Sequence, residues 1–492
     1  MLITPPHDAQ SNQLGSHKVP EKDSLRGQNP LSAAAVALSS WMERWFPDAF
    51  VFVVLAIVIS ALAAFIIGAP VQSISIAFGS GFWDLIPFTL QASMVVIGGY
   101  VVASSPLAGR AIRFLAGIPR SGPSAVAFIS ATSCMSSLVN WAFSFVFGAL
   151  LVREIARRHK TLDYRAASAS AILGLGTVWA LGISSAPAQL QANASSLPPA
   201  LLQITGVLPY SQTIFLWQSM VMTCVLLTVT VAVSYFSAPR GAQAVTASDL
   251  QINLSTTTPS NDLPLSRPGE WLENRRSLNL FVVLIGATYL MSVFMQKGVL
   301  NGLSNLNVYN FLFLMLGLLL HGTPRKFMSA VSAAVPSVGG MLIQFPFYAG
   351  VAGIMTHAMS PTGATVASLL AHTFTGVAGR DYFAPAVAVY SAVLGLFIPS
   401  GGGKWLVEAP YIMQAANYVH VHLGWTVTIY NAAEALPNLI NPFWMIPVLG
   451  LVSLRPRDIV GFTFLQFLIN APLVILMSWL LGETLNYVPP HP

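Results

Sequence analysis

Apolar positions dominate this chain from residue 49 onward, in runs longer than any soluble helix or strand needs. The stretches FVFVVLAIVISALAAFIIGA (50–69) and TIFLWQSMVMTCVLLTVTVAVSYF (213–236) carry no charge. Each exceeds the ~18 residues at which an apolar segment reads as a membrane-spanning helix. Segments of this kind lie near 49–68, 83–104, 168–188, 213–236, 278–296, 308–320, 335–357, 425–452 and 458–481. Two further apolar stretches are interrupted by small and polar residues, 122–152 by SATSCMSSLVNW and 382–415 by PSGGG. Each is expected to be a re-entrant hairpin or a pair of helices of about 15 residues, short for full crossings.

Charge orients these segments. Only 8% of residues are charged, against roughly 25% in soluble domains. Arg110, Arg113 and Arg120 precede the first interrupted stretch, and Arg153, Arg157, Arg158, Lys160 and Arg165 follow it. The positive-inside rule puts both flanks in the cytoplasm, so the stretch enters and leaves on one side. With the N-terminus inside and both interrupted stretches re-entrant, all 23 Lys and Arg except Lys297, Arg380 and Lys404 fall in the cytoplasm. The C-terminus then lies outside. The net charge of +6 is accounted for by this asymmetry, with no nucleic-acid partner. Cys134 and Cys224 sit in apolar segments without metal-ligand spacing, so neither a disulfide framework nor a metal site is expected. The chain has no Walker A loop, which argues against direct ATP coupling.

The two halves echo each other. GAP (68–70) and GTP (322–324) follow corresponding helices, and Gln91 and Gln344 follow at similar spacing. An interrupted stretch, a Gly- or Pro/Asn-broken segment and a final span come next in each half. The first copy starts inside and the second outside, which is an inverted repeat of the kind secondary transporters use. The expected division is a disordered cytoplasmic tail (1–43), a first transmembrane repeat (44–236) and a polar cytoplasmic linker (237–277). A connecting helix with an outer loop (278–307), a second, inverted repeat (308–482) and an outer C-terminal tail (483–492) complete it.

Irregular backbone at membrane depth survives only where it is buried in protein or lines a wet cavity. In PSGGG, Ser400, Gly401, Gly402 and Gly403 permit close approach of a ligand to the chain. A helix beginning there points free N–H groups at the break, a site for an anion such as a carboxylate. Ser136, Ser137 and Asn140 mark the matching break in the first half. GLGTVWALG (174–182), with Thr177, and EALPNLINPFW (434–444), with Glu434, Asn438 and Asn441, are two more broken segments. Glu434 is an ionisable residue within a membrane segment, and so a functional candidate; it could carry a proton with the substrate. Lys404 and Glu408 share the ion-coupling assignment, although their i, i+4 spacing also suits a simple mutual pair. His420 and His422 flank an outer loop and read as solvated. Glycines in membrane helices also serve close packing alone, so each break has a simpler structural explanation.

FIPSGGGKWLVEAP (397–410), LIQFPFYAG (342–350), NPFWMIP (441–447) and GFWDLIPFTLQ (81–91) resemble the bacterial short-chain fatty acid transporter family, over most of the chain from RWFPDAF (44–50) to LRPRDIVGF (454–462). That family is similar in organisation to a larger ion transporter superfamily with inverted repeats, two re-entrant hairpins and broken helices, many of whose members work as elevators. The resemblance implies an all-α, polytopic, elevator-like inverted-repeat transporter in the inner membrane. It places Ser400 to Gly403 and Trp405 at one hairpin tip, Asn140 and Trp141 at the other, and Glu434 and Asn441 in a broken helix. The implied substrate is a small monocarboxylate. No cofactor is expected beyond a coupling H⁺ or Na⁺, and relatives of this kind are often homodimers. Other organic anions, dicarboxylates or hydroxy acids, are the alternative cargo. An intramembrane enzyme using Ser400, Lys404 and Glu408 lacks a His/Asp partner, and a channel would not need paired hairpins.

Overall fold

The computed structural model describes residues 49–490 apart from 85, 193, 195, 196, 198, 255–266, 304, 367, 368, 370–378 and 397–400. The tail expected over 1–43 lies outside the described residues. The described secondary structure is helical: α1 Ala49–Ile66, α2 Val71–Asp84, α3 Ile86–Ala103, α4 Pro106–Leu115, α5 Gly122–Ser137, α6 Trp141–Arg158, α7 Tyr164–Ser170, α8 Leu173–Thr177, α9 Ala186–Gln191, α10 Trp217–Ser237, α11 Arg276–Lys297, α12 Leu306–His321, α13 Pro324–His357, α14 Arg380–Gly395, α15 Gly401–Tyr418, α16 Leu423–Ala435, α17 Ile446–Val452 and α18 Pro456–Gly482. Short helices at Pro199–Thr205, Pro268–Glu273 and Val299–Leu303 lie in the connections.

Helix starts follow local chemistry. Each orphan N–H of a first turn needs an acceptor. Ser105 accepts from Ala108 N–H (3.3 Å) before Pro106, and Asn140 Oδ1 from Phe143 N–H (2.7 Å). Asp163 accepts from Ala166 N–H (2.9 Å) and Ser185 from Ala188 N–H (3.2 Å). His422, expected only to be solvated, accepts Trp425 N–H through Nδ1 (3.0 Å) and so starts α16.

Four helices among the described residues are long and apolar enough to cross a membrane: Trp217–Ser237, Arg276–Lys297, Val338–His357 within α13, and Pro456–Gly482. Their outer faces are apolar, as lipid requires. Along α11 only Asn279, Gly286 and Leu290 are buried, while Phe281, Leu284 and Ile285 face outward. The chain is a multi-pass membrane protein. The spans expected at 168–188 and 425–452, each carrying a break of glycines or prolines, are interrupted at those breaks in the structure. The first becomes α7, α8, a 3₁₀ turn and α9; the second becomes α16, two 3₁₀ turns and α17. Gly174, Gly176 and Gly182 weaken helix in one, and Pro437 and Pro442, which lack a backbone N–H donor, interrupt it in the other. The expected segment at 335–357 is the end of a longer helix that begins at Pro324 and contains Pro336 and Pro346. α3 and α4 form one bent pair, turned by 68°.

The order of elements recurs. A helix pair (α5 and α6; α14 and α15), a broken segment and a long helix (α10; α18) follow one another in each half. Gly68 and Gly322 both adopt positive φ, +94° and +76°, in the turns that precede α2 and α13. α13 packs along α1, α2 and α3. A Cβ on Gly353 would lie 2.3 Å from the Ala77 carbonyl oxygen, so the backbones of α2 and α13 approach as only small residues allow.

Part of the polar linker is pinned down. Val245 N–H donates to Asp163 Oδ2 (3.0 Å), and Tyr164 N–H to the Val245 carbonyl (2.8 Å). Arg153 donates to the carbonyls of Asn253 (2.8 Å) and Leu451 (3.1 Å), and Arg157 to that of Leu254 (2.6 Å). Residues 238–254 are thereby held as a strap across α6 and α7.

Candidate functional site

The two broken segments cross at the centre of the molecule. Asn438 Nδ2 donates to the Leu175 carbonyl (3.4 Å), and a Cβ on Gly176 would lie 2.1 Å from Leu439 Cδ2. All five residues of α8 and all thirteen of α16 are buried. Each helix pair brings its interruption to this crossing. On the first side, the Leu138 carbonyl accepts from Ser184 N–H (3.3 Å), and Ser184 Oγ accepts from Trp141 N–H (3.0 Å). Ser133 Oγ donates to the Ala171 carbonyl (2.8 Å) and accepts from Gly174 N–H (3.1 Å). On the second side, Tyr430 donates to the Gly401 carbonyl (2.7 Å), and a Cβ on Gly395 would meet Pro437 and Glu434.

A cavity opens between these parts. Trp141, Leu175, Trp179, Ser184, Gly401, Gly402, Glu434, Asn438 and Trp444 line it, with Val95, Ala186, Gln189, Leu306 and Tyr309. Trp141 and Trp444 meet edge to face, ring centres 5.1 Å apart. Tyr309 donates to the Val139 carbonyl (2.8 Å) and closes the wall from α12. Trp179 lies so close to Gly401 that a Cβ there would sit 2.8 Å from its ring. Three polar atoms of the lining residues are buried without a hydrogen-bond partner; Glu434 Oε2 is ion-paired with Lys404, which leaves the Trp179 indole N–H and Asn438 Oδ1. Buried polar groups are normally satisfied, so these two are free to serve a ligand.

Behind this wall stands a charge cluster. Lys404 is fully buried, which a lysine tolerates only when paired. Its Nζ donates to the Ser391 carbonyl (2.7 Å), pairs with Glu408 Oε1 (3.1 Å) and Glu434 Oε2 (2.7 Å), and sits 4.5 Å from the centre of the Tyr430 ring. Ser391 Oγ donates to Glu408 Oε2 (2.6 Å). Fully ionised, the three side chains carry one net negative charge in a site that water does not reach.

The sequence-derived candidates therefore divide. Trp141, Gly401, Gly402, Glu434 and Asn438 line the cavity. Lys404 and Glu408 join Glu434 one layer back; the i, i+4 pair exists, and the cluster extends beyond it. Others are spent on the fold. Ser136 and Ser137 donate to the carbonyls of Thr132 (2.6 Å) and Cys134 (2.9 Å), and Asn140 caps α6. Thr177 donates to the Leu173 carbonyl (2.7 Å), and Asn441 to that of Leu396 (3.4 Å). Trp405 packs on Tyr430, ring centres 4.6 Å apart. Gly403 lies in the first turn of α15, and Ser400 lies outside the described residues. Sequence reasoning missed Trp179, Tyr309 and Trp444 as lining residues. Trp179 and Trp444 stood inside the quoted breaks, where a large aromatic beside glycine or proline is itself a signal; Tyr309 had none.

Comparison with known proteins gives these likenesses. A family model described as short chain fatty acid transporter matches residues 31–481. A protein of Escherichia coli (strain K12) is 30% identical over 442 residues, covering 89% of this chain and 97% of its own. One of Haemophilus influenzae (strain ATCC 51907 / DSM 11121 / KW20 / Rd) is 28% identical over 456 residues, 91% and 99% of the two chains. Both carry the provisional name short-chain fatty acid transporter. Among solved structures, the YdaH transporter of Alcanivorax borkumensis aligns over 92% of this chain and 98% of its own, at 15% identity and a TM-score of 0.47. MtrF of Neisseria gonorrhoeae, described with a class of antimetabolite efflux pumps, aligns over 93% and 98%, at 15% identity and a TM-score of 0.49. Likeness that distant carries nothing about what this chain binds.

Proposed function

The chain belongs to the short-chain fatty acid transporter family, and from that premise we propose that it moves short-chain monocarboxylates across the cytoplasmic membrane by ion-coupled secondary transport. The observation that carries this reading is the cavity at the crossed breaks. Its wall is aromatic and aliphatic, which suits a short alkyl tail. Its unpaired Trp179 N–H suits one carboxylate oxygen. Among the described residues Glu434 is the one carboxylate on that wall, which favours H⁺ over Na⁺ as the coupling ion, since Na⁺ asks for several oxygen ligands. The two repeats insert in opposite senses, with the N-terminus in the cytoplasm and the C-terminus outside, and the interrupted helix pairs gate the site in an elevator-like cycle. A homodimer is the assembly this architecture suggests.

The test is uptake of labelled acetate, butyrate and acetoacetate into proteoliposomes under separately imposed pH and Na⁺ gradients. Saturable accumulation driven by the pH gradient supports the proposal. Accumulation driven by Na⁺ alone rejects the proton, and accumulation of dicarboxylates in preference to all three rejects the substrate class.

A further inference from the structure

We propose that Lys404 is the carboxylate receptor of this carrier and Glu434 its resident occupant: the substrate binds by taking the place of Glu434 on the ammonium, and Glu434 gives way by accepting a proton. The inference rests on the monocarboxylate reading above and adds the residue that reads the carboxylate.

The geometry around Lys404 leaves one way in. An ammonium has three N–H donors, and three oxygens lie within 3.1 Å of this one, from Ser391, Glu408 and Glu434. A substrate carboxylate reaches Lys404 only by displacing one of them. The Ser391 oxygen is backbone, within α14. Glu408 is anchored through its other oxygen by Ser391 Oγ (2.6 Å). Glu434 Oε2 stands 2.7 Å from the ammonium and, like Glu408 Oε1 at 3.1 Å, is ion-paired with it without an in-line hydrogen bond; what sets Glu434 apart is that its residue is the member of the cluster that lines the cavity. Glu434 is thus a tethered carboxylate occupying the position a free one would take.

Charge then couples the exchange to a proton. The resting cluster holds one cation and two anions. An ionised substrate would bring a third anion into a dry site, where charge is expensive to bury. One proton on Glu434 restores the resting net charge. The balance is one H⁺ taken from the water on the side from which the substrate arrives, and one H⁺ returned on the other side when Glu434 reclaims Lys404. The other titratable groups facing the cluster are Glu408 and Tyr411 on α15, Tyr430 on α16 and Tyr390 on α14, the last hydrogen-bonded to Tyr411 at 3.0 Å. Phenols carry no charge in the working range, and Glu408 is held at its Ser391 anchor, so the proton falls to Glu434.

The experiment uses the full-length protein in proteoliposomes and reads butyrate KM at several pH values, net uptake driven by a pH gradient, and exchange at equal pH. For the wild type, binding linked to one proton makes KM rise by up to about tenfold per pH unit. Glu434→Gln removes the competitor and the proton site together. Its KM is expected to fall about tenfold, the gain when an internal occupant held the site nine-tenths of the time. The fall comes with no pH dependence between about pH 6 and 8, exchange intact, and gradient-driven accumulation lost. The double variant Lys404→Gln/Glu434→Gln keeps the cluster's net charge at that of the wild type, so it folds without an added buried charge, and it is expected to bind no butyrate. A KM for Glu434→Gln that keeps the wild-type value and pH profile overturns the proposal. So does a double variant that binds butyrate as well as Glu434→Gln. Wild-type protein that transports no monocarboxylate fails at the earlier step, and that outcome refutes the functional reading itself.

Discussion

Gly176→Ala tests whether the crossing of the two breaks holds the centre of the molecule. The added methyl would lie 2.1 Å from Leu439 Cδ2 and 2.5 Å from Cγ, where carbon atoms rest about 3.5–4.0 Å apart. The two must separate by roughly 1.5 Å. Leu439 is fully buried, and its own backbone nitrogen would be only 3.5 Å from the new methyl, so rotation of its side chain alone gives little relief. Overpacking of this kind costs about 1–3 kcal/mol. Leu439→Ala alone removes buried methyl groups and costs about 2–5 kcal/mol. In the double variant the alanine at 176 fills part of the space vacated at 439, so the combined cost should fall short of the sum by about 1–3 kcal/mol. Denaturant titration of the purified protein measures all four corners of the cycle, and butyrate uptake should recover in the double variant relative to Gly176→Ala. Strictly additive costs, or a Gly176→Ala protein as stable and active as wild type, would refute the crossing as described.

Three shorter predictions follow from the same geometry. Gly401→Ala places a methyl 2.8 Å from the Trp179 ring; uptake should fall at least about tenfold, a barrier change of about 1.4 kcal/mol, with detergent-extracted protein still monodisperse. Trp179→Leu trims an aromatic from the cavity wall, so preference should move from butyrate toward longer acids, and a competition series from acetate to octanoate reads the shift. Asp163→Ala removes the acceptor of Ala166 and Val245 N–H groups and the partner of Arg165 (3.1 Å). Hydrogen bonds to a charged acceptor contribute about 1.5–3 kcal/mol each, so the strap over 238–254 should become protease-sensitive, whereas Asp163→Asn, which keeps an acceptor for the helix cap, should be cut more slowly.

Much of the architecture was legible because membrane helices announce themselves by length. Trp217–Ser237 and Pro456–Gly482 fall where uncharged runs said they would. The breaks were legible as composition, since glycines at 174, 176 and 182 and prolines at 437 and 442 stand out in apolar surroundings. What composition could not give is which break faces which. The contact of Gly176 with Leu439 joins residues from opposite halves, and no local pattern encodes it. The same limit explains the charged residues. Spacing relates Lys404 to Glu408, one turn apart on a single helix, but Glu434 comes from α16 and reaches Lys404 only through the packing of α15 on it. The serines and Asn140 of the first interruption looked like ligands because they are small and polar; in the fold Ser136 and Ser137 donate back to carbonyls of their own helix, and Asn140 caps the first turn of α6. The strap failed to stand out for a related reason. The linker 237–277 as a whole is rich in Ser, Thr and Pro and reads as loose, and what fastens its first part is backbone carbonyls accepting from Arg153 and Arg157, and the Val245 N–H donating to Asp163, all far away in the sequence.

The interlocked breaks also fix which parts of the molecule can travel. With Leu439 seated over Gly176 and Asn438 bonded to Leu175, the centres of the two halves cannot slide past one another without first separating by more than a methyl group. Lys404, on α15, is bound to Glu434 beside that lock, and Tyr430 holds the Gly401 end of the same helix. In the elevator-like cycle proposed above, these pieces would travel together as one block against their surroundings. The surface that must act as the bearing is then the one facing α3, α12 and α13, where Tyr309 meets the Val139 carbonyl. A crosslink placed within the block should leave transport running, and a crosslink from the block to α12 should stall it.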